Sequence, residues 1–223
     1  NGRHSQPRHV DMGLQMRERG PPRSALEAAL RKKRSYKHFD APLKSKDCER
    51  LVSDPDAVSK HAFFPFLRLD IVRPRIKRLA TGKLQKSSKV RDIRYASHAD
   101  AAIYAYYNFV LAELYEQALA LEGLQEEVIA FRQLGKSNVD FAKEAFDWVA
   151  ANTPCVALGF DVKDFFGSLD HALLKSAWAG LLGEEALPSD HYAVYRSLAR
   201  HASVELIEAR KALGISRSTS PRF

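Results

Sequence analysis

Between Arg73 and Arg94 the sequence carries Arg73, Arg75, Lys77, Arg78, Lys83, Lys86, Lys89, Arg91 and Arg94 against a single acid, Asp92. A segment of that charge density repels itself and cannot enter a core, so the fold must hold it at the surface, where a polyanion would neutralise it. Just before it, Leu67, Leu69 and Ile71 alternate with Arg68, Asp70 and Val72, the period-two pattern of a half-buried strand. Residues 90–95 read as a returning strand, with turns expected around Gly82 and again at Lys86-Ser87-Ser88. The segment is therefore expected to form an antiparallel basic hairpin.

The rest of the chain must supply a core to carry that hairpin. Of 223 residues, 45% are hydrophobic and 28% charged, with a formal net charge of +8, a balance that excludes a disordered or fibrous chain. No stretch reaches the roughly 20 apolar residues of a membrane span, and the first ten residues lack the apolar centre of a signal peptide. A soluble protein of the cytoplasm with no membrane partner is expected. Cys48 and Cys155 have no C-x-x-C spacing and no His/Cys cluster beside them, so neither a disulfide scaffold nor a structural zinc site is expected.

Residues 1–22 read as a flexible arm ending in Gly20-Pro21-Pro22. Ser24 and Glu27 have capping-box spacing and predict a helix over 24–34. A short polar helix is expected near 45–60. Ser97 and Asp100 form a further cap pair opening the strongest helix, 98–120, in which Ile103, Tyr106, Tyr107, Val110, Leu111, Leu114 and Leu121 recur at three and four residues. A second amphipathic helix, 139–151, places Phe141, Ala145, Phe146 and Val149 on one side. Helices from 171, carrying Leu173, Leu174 and Trp178, and over 191–202 follow. Tyr104, Tyr106, Tyr107 and Phe109 fit a core stripe better than a base-stacking surface. His98 and His171 sit at helix starts with no second His or Cys at ligand spacing, and no P-loop or G-x-S-x-G is present.

Between these helices, Pro154-Cys155-Val156-Ala157-Leu158-Gly159-Phe160 reads as a buried central strand running straight into Asp161. A buried, unpaired carboxylate costs several kcal/mol, so Asp161 must be protonated, paired or bound to a cation. Mg²⁺, with its preference for oxygen ligands, is one answer. An Asp that caps the next turn or pairs with a nearby Lys is the other.

The stretch Phe160-Asp161-Val162-Lys163-Asp164-Phe165-Phe166-Gly167-Ser168-Leu169-Asp170-His171 resembles the first palm motif of reverse transcriptases, an F-x-D-I-x-x-F-F-x-x-I-D-H pattern of group II intron, retron and related bacterial enzymes. Upstream, Lys89-Val90-Arg91-Asp92-Ile93 resembles the family's K-x-R-x-I fingers segment, and Phe131-Arg132-Gln133-Leu134-Gly135-Lys136-Ser137 its F-R-x-G-x-S region. The likeness covers about residues 36–205. Residues 36–40 and the aromatic-rich 95–107 resemble the bacterial unknown-group and abortive-infection lineages, many of them antiphage defence systems.

The resemblance implies an α+β fold: helical fingers with a basic β-hairpin over 23–152, leading into the first strand and helix of a right-hand polymerase palm over 153–223. It implies RNA-directed DNA synthesis from dNTPs with Mg²⁺, on an RNA template that could be a structured non-coding RNA, yielding a DNA product. Asp161 would be a catalytic metal ligand together with the Val162 carbonyl. Arg91, with Lys89 beside it, would grip the dNTP triphosphate. Phe166, or Phe165 next to it, would lie under the incoming sugar and select against a 2′-hydroxyl. Arg73, Arg75, Lys77, Arg78, Lys83, Lys86 and Arg94 would contact nucleic-acid backbone. Asp164 and Asp170 read as structural, the second as a helix N-cap. The family's Y-x-D-D turn and thumb do not occur in the 223 residues, so the resemblance implies the fingers and first palm portion of a longer polypeptide, inactive alone. The alternative is a non-catalytic RNA-binding module on the same scaffold.

Overall fold

A computed structural model describes Leu26, Glu27, residues 38–79 and residues 81–215. The expected arm over 1–22 and all but two residues of the expected helix over 24–34 lie outside the described residues; Leu26 and Glu27 are helical. The elements run α1 (Ser45–Val52), α2 (Pro55–Ser59), β1 (Phe66–Arg78), β2 (Leu84–Tyr95), α3 (His98–Glu122), α4 (Asn138–Ala151), a 3₁₀ turn (Phe166–Ser168), α5 (His171–Leu181), α6 (Ser189–Ala199), β3 (Ser203–Glu205) and α7 (Leu206–Ala212). The fold is α+β: helices around one core, with a three-stranded sheet in the order β2-β1-β3.

The helical periodicity of α3 organises the core. Ile103, Tyr107, Val110 and Leu114 are buried along one face of this 25-residue helix and join the core cluster with Ala102. Against it pack Cys48 and Val52 of α1, Val58 of α2, Trp178 of α5 with its C-cap Leu182, and Val194 of α6. Each fully buried aliphatic side chain contributes about 1.5–3 kcal/mol, so this cluster outweighs any single polar contact. The stripe deviates from expectation at its end, where Leu121 is exposed.

Both ends of α3 are defined by local chemistry. The Ser97 hydroxyl accepts the Asp100 amide at 3.0 Å, and Gly123 closes the helix in the left-handed region at φ 69°. Asp100 does more than complete a cap. Its carboxylate is 1% exposed, lies 2.7 Å from Nε2 of His61, and accepts the Phe64 amide at 2.9 Å. The helix start thereby fixes the segment that leads into β1.

Tyr104, Tyr106 and Tyr107 of α3 pack with the core, as expected, and the hydroxyls of Tyr104 and Tyr107 are hydrogen-bonded. Tyr104 donates to Ser197 Oγ at 3.1 Å, and Tyr107 donates to Asp190 Oδ2 at 2.7 Å. Burial pushes the Tyr104 and Tyr106 phenols up to about 12, and burial with the adjacent Asp190 raises Tyr107 further. Tyr107→Phe keeps the ring but leaves a nearly buried Asp190 carboxylate one donor short. We expect a loss of about 1–3 kcal/mol in a denaturant melt; an unchanged midpoint would show that the hydroxyl carries no stability.

Several expectations are corrected. The turn at Lys86-Ser87-Ser88 does not form: these residues pair with Ile76, Arg75 and Pro74, and the ribbon continues to the turn at residues 79–83. Pro74 is accommodated because β3 pairs only with Phe66, Leu67 and Arg68, leaving the outer edge of β1 open beyond them. The helix expected over 191–202 runs instead over Ser189–Ala199, and β3 follows it parallel to β1.

The largest correction concerns residues 154–160, which form no strand. Val156 is 85% exposed, Leu158 76% and Phe160 92%. An apolar run becomes a buried strand only where a neighbour offers a ladder edge, and none pairs with this one among the described residues. Nor is α4 packed as its periodicity suggests. Phe146 and Trp148 face solvent; the helix is held by its Ser137/Asp140 capping box and by ion pairs of Lys143 with Asp147 and of Lys136 with Glu144. Among the described residues no helix is long and apolar enough to cross a membrane.

Candidate nucleic-acid interface

The register of β1 and β2 decides which cations act together, because directly paired residues of an antiparallel ladder share a face. Ile71 pairs with Arg91, Arg73 with Lys89, Arg75 with Ser87 and Lys77 with Gln85. The distal half of one face therefore presents Arg73, Arg75, Lys77, Lys89 and Arg91 with no acid among them. All five are exposed. No side chain of the five makes a hydrogen bond or ion pair with another described residue. Nearer the core the same face is apolar, with Leu67, Leu69, Ile71, Ile93 and Tyr95.

The opposite face reverses this order. At its base Arg68 reaches Asp70 at 3.4 Å, Asp92 at 3.4 Å and Glu205 of β3 at 3.2 Å, and Arg94 pairs with Asp92 at 2.9 Å and with His201. The charges of Asp70, Asp92 and Glu205 raise the Arg68 guanidinium, and the hydrogen bond from Arg94 holds the Asp92 carboxyl below its ordinary value. Toward the tip this face carries Val72, Pro74, Ile76, Leu84 and Val90, with Arg78 and Lys86 between them. Of the nine cations of the hairpin, then, five converge on one unneutralised face: Arg73, Arg75 and Lys77 from the seven expected backbone contacts, and Lys89 and Arg91 from the expected triphosphate grip. Arg78 and Lys86 lie on the other, Lys83 lies in the turn, and Arg94 is already engaged in an intramolecular network.

Each unneutralised cation of the five-residue face is free to take a phosphate without first breaking an ion pair. A phosphodiester chain in extended form matches a flat ribbon, and arginine can bind phosphate oxygens in pairs. A face so built gives sequence-independent, salt-sensitive affinity.

Asp161 stands differently from expectation. It is exposed rather than buried and makes no hydrogen bond or ion pair with a described residue, so the desolvation argument for a bound cation does not apply to it. No group of three metal-ligating side chains among the described residues includes it. One exposed carboxylate with the Val162 carbonyl does not satisfy the near-octahedral oxygen shell of Mg²⁺. Phe165 is half-exposed, and the side chain of Phe166 falls outside the described part of the chain. Asp170 is the N-cap of α5, accepting the Ala172 and Leu173 amides at 2.7 and 3.0 Å. Asp164 holds a positive φ of 53°, and its carboxylate occupies the space a Cβ at Gly167 would need, 2.4 Å away. A side chain at 167 would therefore require the Asp164 carboxylate to move.

Sequence spacing missed one cluster. His98 is joined by His38 and Asp40, which lie 60 and 58 positions earlier in the chain. Nδ1 of His38 and Nδ1 of His98 lie 2.5 and 2.7 Å from the same oxygen, Oδ1 of Asp40. Burial raises the Asp40 carboxyl, yet hydrogen bonds from the His98 ring and amide outweigh it and leave it below its ordinary value. A second histidine two positions from an acid, in 36–40, was the only local signal.

No protein-family model matches the chain, and comparison with curated proteins finds no relative.

Proposed function

We propose that this chain is the fingers and first palm portion of an RNA-directed DNA polymerase, with the fingers over 23–152 and the palm segment over 153–223. The parent enzyme would act in the cytoplasm, in a bacterial antiphage defence system. The observation that supports it best is the five-cation face, which groups the two residues of the K-x-R-x-I segment, Lys89 and Arg91, with Arg73, Arg75 and Lys77 on one solvent-facing surface. In this reading the proximal pair receives the triphosphate and the distal cations track template backbone.

The exposed apolar residues also fit the reading. Val156, Leu158 and Phe160, with Phe146 and Trp148, form more uncovered apolar surface than an isolated folded unit keeps without purpose. Further palm strands would cover residues 154–160 and bring other acids to Asp161. Asp161 would then serve as one carboxylate of a Mg²⁺ set that the described residues do not complete; Mg²⁺ would supply charge neutralisation at the reacting phosphate. With no arginine partner among the described residues, it is available for that role.

The alternative, a non-catalytic RNA-binding module, uses the same basic face without the acid. Arg91→Ala in the full-length polypeptide separates them. The polymerase reading expects the apparent KM for dNTP to rise about tenfold, with RNA affinity falling less than about threefold, as for loss of one charge-assisted contact of about 1.4 kcal/mol. A drop in RNA affinity with unchanged KM would make Arg91 a template contact.

A further inference from the structure

We propose that His38, Asp40 and His98 form a binding site for one divalent transition metal of the zinc class. Their ligand atoms lie within 4.8 Å of one another, and the three side chains are 6%, 21% and 12% exposed. The site draws on two parts of the chain, the irregular segment 38–40 and the first turn of α3.

Hydrogen bonding alone leaves this cluster under-satisfied. Two imidazole Nδ1 atoms face one carboxylate oxygen, the Nδ1 of His38 also accepts the Asp40 amide at 3.3 Å, and Nε2 of His38 is buried with no partner among the described residues. Such unsatisfied buried polar groups in a native fold point to a bound ion or water. The donor set selects the ion: two imidazole nitrogens and one carboxylate oxygen suit Zn²⁺ and its neighbours, whereas Mg²⁺ prefers an all-oxygen shell.

The distances permit entry. Ligands held at about 2.0–2.1 Å from a tetrahedral zinc stand roughly 3.3 Å apart, so each ring need withdraw from Asp40 by well under 1 Å. The second oxygen of Asp40 accepts the His98 amide at 2.7 Å, which orients the carboxylate as an outer contact orients a metal ligand. A cation at a helix N-terminus is opposed by the macrodipole. Here the carboxylates of Asp40 and Asp100 both lie at that end and offset it. Three protein ligands leave a fourth position for water. A bound metal would pin residues 38–40 to α3 and stabilise the fold by mass action.

The test uses the full chain, stripped with chelator and titrated with Co²⁺ and then Zn²⁺. We expect one equivalent of Co²⁺ to give the visible bands of a four-coordinate site, displaced by Zn²⁺. Zn²⁺ at about 100 times its Kd should raise the melting temperature by about 5–10 °C, and Mg²⁺ should not. In His38→Asn and His98→Asn, which retain a side-chain donor toward Asp40, affinity should fall at least about 100-fold. Zinc-edge absorption on the unsubstituted chain, showing two imidazoles, supports the site even if a variant fails to fold. Absence of Co²⁺ bands and of a zinc shift in the unsubstituted chain overturns the proposal. So do bands that persist unchanged in both variants.

Discussion

Asp161→Ala in a polypeptide carrying the whole palm should lower RNA-templated nucleotide incorporation by about 1000-fold or more, with RNA affinity unchanged within about twofold. The size follows from the several kcal/mol of charge stabilisation that a metal-gathering carboxylate contributes at a reacting phosphate, at about 1.4 kcal/mol per tenfold. The separation from folding follows from the structure. In the 223-residue chain Asp161 is exposed and makes no hydrogen bond or ion pair with a described residue, so the same substitution there should change stability by no more than about 0.5 kcal/mol. A loss of incorporation accompanied by a matching loss of melting temperature would assign the acid to the fold instead. Retained incorporation would remove it from catalysis.

The second large effect concerns the ribbon. Replacing Arg73, Arg75 and Lys77 together by Ala should weaken single-stranded RNA binding about 100-fold at ~0.1 M salt, taking each phosphate contact as about 1 kcal/mol. The logarithmic salt slope should fall from about −3.5 toward about −1.4, since each phosphate on a single strand contributes about 0.7. The control is built into the register. Arg78 and Lys86 lie on the opposite face, and replacing both should cost less than about threefold. Equal losses from the two sets would mean that the ribbon acts as a diffuse positive cloud, without a binding face. Because all five positions are exposed, the fold should tolerate both changes.

These expectations rest unevenly on sequence and structure. The hairpin was legible because two local signals coincide there, apolar alternation in 67–71 and a charge density that no core admits. Its length was not: Ser87 and Ser88 look like turn residues, and only their pairing with Arg75 and Pro74 keeps them in the strand. The change of face along the ribbon, apolar to basic on one side and charged to apolar on the other, also needs the register. The α3 stripe of Ile103, Tyr107, Val110 and Leu114 could be read from periodicity alone. Residues 154–160 could not, since burial of an apolar run depends on a neighbour that periodicity does not supply. The same limit hid His38 and Asp40 from His98, for a spacing rule sees a few residues and the contact spans 58. Asp100 was recognisable as a cap partner of Ser97, but its burial against His61 and Phe64 belongs to tertiary structure.

Acid also probes the cluster. The Asp40 carboxyl is held below its ordinary value in the folded chain, so the stability it contributes is complete above about 3.8, the ordinary aspartate value, and is lost as pH falls through the lower folded value. Asp40→Asn should flatten that part of the stability curve below pH 4, and an unchanged acid limb would show that His98 does not hold the carboxylate in solution.

The most direct measurement is primer extension by the unsubstituted full-length polypeptide on an RNA template, with labelled dNTPs and Mg²⁺. The polymerase reading requires template-dependent growth of a DNA strand, with ribonucleotides used far less well. Salt-sensitive RNA binding with no extension on any RNA template would contradict it and leave the ribbon as the working surface of a binding protein.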